Sequence, residues 1–198
     1  MSNGDVSQGR RRFLIGATSV VGGVGAVGAA VPFVASWNPS AKAEAAGAPV
    51  TVNVSKLEPG QQITVEWRGK PVWLIRRTEE MIANLTDMNE RVKDPQSEEA
   101  SQQPEYIRGE TRSLKPELAV LVGICTHLGC VPSYRPEVAP EDLGADWLGG
   151  MFCPCHGSRY DMAGRVFKSQ PAPLNLEVPP YRYDNDSTVT VGLDPEAA

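Results

Sequence analysis

The hydrophobic pattern of this chain begins with one long apolar run. Residues 13–35 carry no charged side chain, whereas residues 1–12 are polar and end in Arg10-Arg11-Arg12. As a helix, the apolar run would be about 34 Å long, enough for the roughly 30 Å hydrocarbon core of a bilayer. The run therefore predicts one transmembrane helix, and the arginines that precede it predict a cytoplasmic N-terminus.

The residues around these arginines, Gly9 to Leu14, resemble a twin-arginine export signal. Such a signal addresses a folded protein to the export machinery, which suits a chain that receives a cofactor before export. A plain Sec signal or stop-transfer anchor is the alternative. Residues 36–49 are small and polar, with Ala, Gly and Pro dominating, and they predict a flexible linker that would span about 20 Å as a coil.

Beyond the linker the pattern changes to alternation. Val50, Val52 and Val54 alternate with polar residues, and the same period of two recurs at residues 63–67. Alternation predicts half-buried strands, and the turn residues between the runs predict hairpins. The predicted antiparallel strands are residues 50–54, 63–67, 72–75, 119–124, 178–183 and 188–193.

One short helix is predicted between these strands. Thr78 is a suitable N-cap, and two acidic residues follow it in the first turn of a helix that would run to about Leu85. Residues 87–112 are polar and contain two prolines, so they predict a long excursion with little core. The length of 198 residues suggests one domain with an appendage, and the net charge of −5 gives no support for nucleic-acid binding.

The candidate chemistry lies in two short loops. The chain has four cysteines and two histidines, and all six lie in Cys125-Thr126-His127-Leu128-Gly129-Cys130 and Cys153-Pro154-Cys155-His156-Gly157-Ser158. Thiolates and imidazoles bind soft and borderline transition metals, so the concentration predicts a metal centre. One Cys-x-His and one Cys-x-x-His supply two thiolates and two imidazoles, which is the ligand set of a Rieske [2Fe–2S] centre.

The two loops resemble the motifs of the Rieske iron–sulfur protein of quinol–cytochrome c oxidoreductases, the cytochrome bc1 complex. The resemblance extends to the N-terminal anchor, to Gly69-Lys70-Pro71-Val72 and to most of residues 122–180. It implies an all-β Rieske domain, with antiparallel sheets and a two-loop cluster-binding subdomain, after one N-terminal transmembrane helix. The implied segments are a cytoplasmic N-terminus (1–12), a retained anchor (13–35), a hinge (36–49) and a periplasmic domain (50–198).

The resemblance also implies roles for individual residues around one [2Fe–2S] cluster. Cys125 and Cys153 would bind the inner iron, and His127 and His156 the outer iron, with His156 meeting the quinol and His127 beside it. The remaining implied roles are a disulfide between Cys130 and Cys155, hydroxyl donors at Ser158 and Tyr160, shielding by Leu128, and a proline-rich third loop at Gln170-Pro171-Ala172-Pro173. The family pattern begins this third loop with Gly where this chain has Gln170.

The implied function is electron transfer in the respiratory chain. The chain would accept one electron from quinol at cytochrome b and pass it to a c-type cytochrome haem, within a complex, dimeric as a whole, in the bacterial inner membrane. Two alternatives stay open at this point. The chain could be the small Rieske subunit of an exported molybdenum enzyme such as arsenite oxidase, or the four ligands could hold structural zinc, which would leave Cys130 and Cys155 without a role.

Overall fold

The chain folds into two compact units, residues 1–45 and 46–198. The computed structural model describes residues 7–195, apart from the side chains of Lys42 and Ala46. Residues 1–6 of the predicted cytoplasmic segment and residues 196–198 of the predicted domain therefore lie outside the described residues.

The first unit consists mainly of helix α1, Gln8–Ala35. The helix begins five residues before the predicted start at residue 13, because Ser7 accepts the N–H of Arg10 as an N-cap and the arginines join the first turns. None of its residues is buried, and by length and composition it could cross a membrane.

A short second helix, α2 (Ala41–Ala46), forms inside the predicted linker. The side chain of Ser40 accepts the N–H of Ala43 at 3.2 Å, and the helix itself is rich in alanine, the best helix former. The prediction of a coil throughout residues 36–49 is therefore wrong at these six residues.

The described residues of the second unit form nine strands in three antiparallel sheets, so the fold class is all-β, as predicted. In chain order the strands are β1 (Val50–Asn53), β2 (Gln62–Trp67), β3 (Lys70–Arg76), β4 (Leu118–Val122), β5 (Ser133–Arg135), β6 (Gly150–Phe152), β7 (Arg159–Tyr160), β8 (Tyr181–Asn185) and β9 (Thr188–Val191). The sheets have the strand orders β1-β9-β8, β2-β3-β4 and β5-β6-β7.

The structure confirms the six predicted strands, although β8 begins three residues later than expected. It also confirms the predicted helix as α3, Glu79–Asp87, in which the Thr78 hydroxyl accepts the N–H of Met81 at 3.1 Å. Two turns of 3₁₀ helix follow, at Ala100–Gln102 and Glu105–Ile107.

The main hydrophobic core lies around β3 and β4. Every residue of β4 is buried, which is the pattern of a strand covered on both faces. This core extends to Cys125, Cys153 and Tyr160 at the candidate site. A second, smaller core contains Met88, Val92, Leu143, Trp147 and Phe167.

The prediction that residues 87–112 contribute little core is wrong. Val92 and Ile107 are buried, and so is the guanidinium of Arg112, which donates to the carbonyl oxygens of Ala163 and Leu176 at 3.0 and 2.7 Å. Burial lowers the pKa of Arg112 to about 10, so the side chain stays charged at neutral pH. The segment is fixed inside the domain because its polar side chains satisfy buried carbonyl groups.

The sheet β5-β6-β7 places the two candidate loops side by side. The first loop connects β4 to β5, and the second loop joins β6 to β7 as a hairpin. In this sheet Phe152 lies opposite both Ser133 and Arg159. The end of the first loop and both ends of the second loop are therefore held in one three-stranded sheet.

Candidate metal centre

The two loops close in the same way. In the first, the N–H of Cys125 donates to the carbonyl of Cys130 at 2.7 Å, and in the second the N–H of Cys153 donates to the carbonyl of Ser158 at 2.8 Å. Gly129 and Gly157 have φ of +81° and +78°, a left-handed conformation that favours glycine. A Cβ atom at either glycine would meet nothing within 4 Å, so conformation rather than crowding requires glycine there.

The loops bring the four predicted ligands together with the thiols inside and the imidazoles outside. Cys125 and Cys153 are each 2% exposed and unpaired, while His127 is half-buried and His156 is exposed. The two imidazole rings meet edge to face with their centroids 4.7 Å apart. A group held between the thiols and the rings would therefore be shielded on the protein side and reachable through the histidines.

Cys130 and Cys155 form a disulfide between the two loops, as predicted. The sulfur of Cys153 lies within 4.8 Å of both disulfide sulfurs. These three sulfurs do not form a metal site of their own, because two of them are bonded to each other and only Cys153 can become a thiolate.

Tyr160 is fully buried and its hydroxyl lies 3.2 Å from the Cys125 sulfur. The same hydroxyl accepts the backbone N–H of Thr126, while the Thr126 hydroxyl donates to the carbonyl of Leu174 at 2.7 Å. Since the Thr126 hydrogen is committed to Leu174, the Tyr160 hydrogen is left for the Cys125 sulfur or the Thr126 oxygen. A thiolate at Cys125 would be the stronger acceptor of the two.

Ser158 is also buried, and its hydroxyl accepts the backbone N–H of Ala172 at 3.1 Å. Because the oxygen is an acceptor in this bond, its own hydrogen remains available for another partner. The bond also attaches the predicted third loop, Gln170-Pro171-Ala172-Pro173, to the second loop. The bond from Thr126 to Leu174 attaches the same region to the first loop.

Two family models match the chain. The ubiquinol–cytochrome c reductase Fe–S subunit TAT signal matches residues 1–40, and the Rieske [2Fe–2S] domain matches residues 48–181. The ubiquinol–cytochrome c reductase iron–sulfur subunit of Allochromatium vinosum is 59% identical over 194 residues, which cover 98% of this chain and 93% of that protein. The chain belongs to this family of Rieske iron–sulfur subunits.

Other members of the Rieske family are more distant. The mitochondrial Rieske subunit of the cytochrome b-c1 complex of Saccharomyces cerevisiae is 38% identical over 191 residues, which cover 94% of this chain and 78% of that protein. A solved chain of a hyperthermophilic respiratory complex III is 29% identical, with a TM-score of 0.48, and the match covers 89% of this chain and 98% of that one.

Membership decides between the alternatives that the sequence left open. The cofactor of this Rieske subunit is a [2Fe–2S] cluster and not structural zinc. The N-terminal match is to the TAT signal of quinol-reductase subunits, which also decides against the Sec alternative and the molybdenum-enzyme subunit.

The residues at the site fit such a cluster. The Nδ1 atom of His127 is buried and has no hydrogen-bond partner within residues 7–195, as expected for a nitrogen that needs a metal. The pKa of the Cys153 thiol is raised, mainly by burial and also by the neighbouring Cys125, while the backbone N–H groups of Cys155 and His156 lower it. A bound cation would favour the thiolate form in such a site.

Thr126 and its partner Leu174 were not assigned a role from the sequence. Thr126 lies inside the first motif, but its role depends on Leu174, which is 48 residues away. The environment of Tyr160 is equally nonlocal, and its pKa is raised by burial and by the bond to Cys125. Leu128, expected to shield the cluster, is 71% exposed at the surface of the first loop, so its shielding role stays a prediction.

Proposed function

We propose that this Rieske subunit accepts one electron from quinol at the quinol-oxidation site of cytochrome b and passes it to the haem of a c-type cytochrome. The observation that carries the proposal is the arrangement of two buried thiols behind two accessible imidazoles. An electron acceptor held there would be protected from water by the domain core and would still approach a partner through His127 and His156.

Cys125 and Cys153 are the proposed thiolate ligands, and His127 and His156 the proposed imidazole ligands. The Nδ1 atom of His127 is buried and has no hydrogen-bond partner among the described residues, which supports ligation through that atom. When bound, the cluster supplies a one-electron acceptor of high potential, because neutral imidazoles replace two anionic thiolates. The Nε2 atom of His156 would then hold the proton that accompanies the electron, at the exposed end of the site.

Ser158, Tyr160 and Leu128 complete the proposed site. The Tyr160 hydroxyl lies 3.2 Å from the Cys125 sulfur, and Ser158 keeps its own hydrogen free while it accepts the Ala172 N–H. Both hydroxyls would donate towards sulfur in the loaded site, which would stabilise the added negative charge after reduction. Leu128 would limit the access of water at the outer edge. These residues set the potential and the environment of the site without being ligands.

We also propose how the chain is arranged at the membrane. Residues 1–12 would lie in the cytoplasm, residues 13–35 would anchor the chain in the bacterial inner membrane, and residues 36–49 would be the hinge. The domain from residue 50 onward would face the periplasm, in a complex that is dimeric as a whole. The TAT signal match and the length of α1 support export with a retained anchor.

Purification of the tagged full-length chain from its own membranes tests this function. We expect b-type and c-type haem to co-purify, and we expect quinol to reduce the c-type haem in a reaction that quinol-site inhibitors stop. Co-purification with a molybdenum subunit and no b-type haem would contradict the proposal. A purified complex in which quinol reduces the c-type haem equally well without this chain would contradict it as well.

A further inference from the structure

Lys93 has a fixed backbone close to the candidate site. Its N–H donates to the carbonyl of Val166 at 2.9 Å, and the neighbouring Val92 lies opposite Phe167 in an antiparallel bridge. Val92 is fully buried in the smaller core. The lysine side chain therefore starts from an anchored position, although the residue itself is exposed.

The ammonium group of Lys93 donates hydrogen bonds to two backbone carbonyl groups of the third loop. It donates to the carbonyl of Ala172 at 2.7 Å and to the carbonyl of Gln170 at 3.2 Å. Within the described part of the chain, no carboxylate forms an ion pair with Lys93. Its bonds are thus directed to this loop, and charge-assisted bonds to carbonyl groups are stronger than neutral ones.

Ala172 connects Lys93 to Ser158. Its carbonyl accepts the bond from Lys93, and its N–H donates to the Ser158 hydroxyl. The Ala172 side chain is fully buried, so the loop has little room to shift sideways. The direction of the remaining Ser158 hydrogen depends on where the Ala172 N–H lies, because a hydroxyl oxygen that accepts one bond donates away from it.

We infer that Lys93 is a positioning residue for the reduction potential. It holds the third loop so that the Ala172 N–H orients the Ser158 hydroxyl towards the cluster. This inference rests on the proposed role of Ser158. The hydrogen bonds of the Lys93 side chain go to Gln170 and Ala172 and not to the four proposed ligands, so its effect on the potential passes through Ala172 and Ser158.

Lys168 provides a matched control, because its side chain also connects the segment around residues 90–93 with residues 168–172. Its ammonium group also donates to a backbone carbonyl, that of Glu90, at 2.7 Å. Glu90 does not belong to the third loop. Loss of the Lys168 side chain therefore removes one surface cation and one bond of the same kind, but it leaves the contact between Ala172 and Ser158 in place.

The test is a redox titration, followed by EPR, of the complex in membranes. Lys93→Met should lower the midpoint potential by part of the shift that Ser158→Ala produces, Lys93→Arg should restore it, and Lys168→Met should leave it unchanged. Because Lys93 acts through Ser158, Lys93→Met should add no further shift in a Ser158→Ala background. An equal further shift in that background would overturn the inference, because it would show that the lysine acts by charge alone.

The same titration separates the inference about Lys93 from the proposed role of Ser158. Ser158→Ala at the wild-type potential would contradict the proposed role of Ser158 and, with it, the inference about Lys93, whereas the proposed electron transfer is tested separately by the purification. Lys93→Met at the wild-type potential, beside a shifted Ser158→Ala, would overturn the inference about Lys93 alone.

Hydrogen exchange gives a second readout that needs no redox signal. Pro171 and Pro173 have no amide hydrogen, so a peptide across the third loop reports mainly Gln170 and Ala172. Exchange at Ala172 should be faster in Lys93→Met than in the wild type or in Lys168→Met. Unchanged exchange in Lys93→Met would overturn the inference even if that variant assembled little cluster.

Discussion

At the scale of single residues, the environment of the candidate site depends on where two buried hydroxyl groups donate their hydrogen atoms. The Tyr160 hydroxyl receives the N–H of Thr126 and lies 3.2 Å from the Cys125 sulfur. The Ser158 hydroxyl receives the N–H of Ala172 and keeps its own hydrogen free. Both hydroxyls are buried, so a bond from either one to sulfur would not compete with water.

Removing either hydroxyl should lower the reduction potential. Hydroxyl donors stabilise the reduced, more negative form of the cluster more than the oxidised form. If the difference is about 1 kcal/mol per bond, Ser158→Ala and Tyr160→Phe should each lower the potential by roughly 40–50 mV. A redox titration followed by EPR measures the shift, and both variants should keep the cluster.

Tyr134→Phe is the matched control for these variants. Its hydroxyl donates to the carbonyl of Gly60 at 2.8 Å, and Gly60 lies in the turn before β2. The Tyr134 variant should therefore keep the wild-type potential. Unchanged or higher potentials in Ser158→Ala and Tyr160→Phe, with the cluster intact, would mean that their hydroxyls do not donate to the cluster.

The residue types of the site could be predicted from the sequence, but the supporting contacts could not. Cysteine and histidine are rare in this chain and lie together, so they are visible in the linear sequence. Thr126 and Lys93 are ordinary residue types whose partners, Leu174 and Ala172, lie 48 and 79 residues away. Contacts at such separations depend on the folded chain and leave no local pattern.

At the scale of elements, the long strands and the capped helix could be predicted because their patterns are local. The short strands β5, β6 and β7 have only two or three residues each, too few to show a period. The prediction that residues 87–112 contribute little core was wrong for a different reason. Their buried side chains include arginine and glutamine, which are read as exposed residues unless their partners are known.

The ion pair between Arg165 and Asp161 is another case of charged side chains that are buried although their residue types predict exposure. Their side chains are 0% and 2% exposed, with an N–O distance of 2.7 Å, and Arg165 also donates to the carbonyl of Leu85 at 2.6 Å. Arg165→Met should destabilise the domain by about 3–5 kcal/mol, because it leaves the Asp161 carboxylate buried without its partner. Urea unfolding of the full-length, cluster-loaded protein measures the loss.

The exposed pair of Lys115 and Asp186 supplies the control. Asp186 is fully exposed, so water screens this pair and Lys115→Met should destabilise the domain far less than Arg165→Met. Equal, small losses for Arg165→Met and Lys115→Met would show that burial of the first pair does not carry the expected penalty.

At the scale of the whole molecule, the proposed function requires the cluster domain to reach two redox partners from one anchor. The proposed hinge contains α2, which has only six residues. An isolated helix of this length is marginal in water, so the segment can exchange helix for coil at low cost. The composition and the length of this segment are compatible with motion of the domain.

Prolines in the hinge should slow electron delivery without affecting the cluster. Replacing Ala41, Ala43 and Ala45 by proline removes backbone donors and fixes φ, which stiffens the segment. We expect slower reduction of the c-type haem in stopped-flow measurements and a normal EPR amplitude. Serine at the same three positions keeps the segment flexible and should preserve the rate. Unchanged turnover in the proline variant would contradict the hinge proposal.

The EPR spectrum of quinol-reduced membranes tests the central claim most directly, because it reports the cluster, its ligands and its electron donor in one measurement. The wild-type chain should show the highly anisotropic signal of a Rieske centre. His127→Ala should lose this signal, because one iron would lack a protein ligand, whereas Tyr134→Phe should keep it. A His127→Ala variant that retained two irons per chain and the full signal would contradict the assignment of the site.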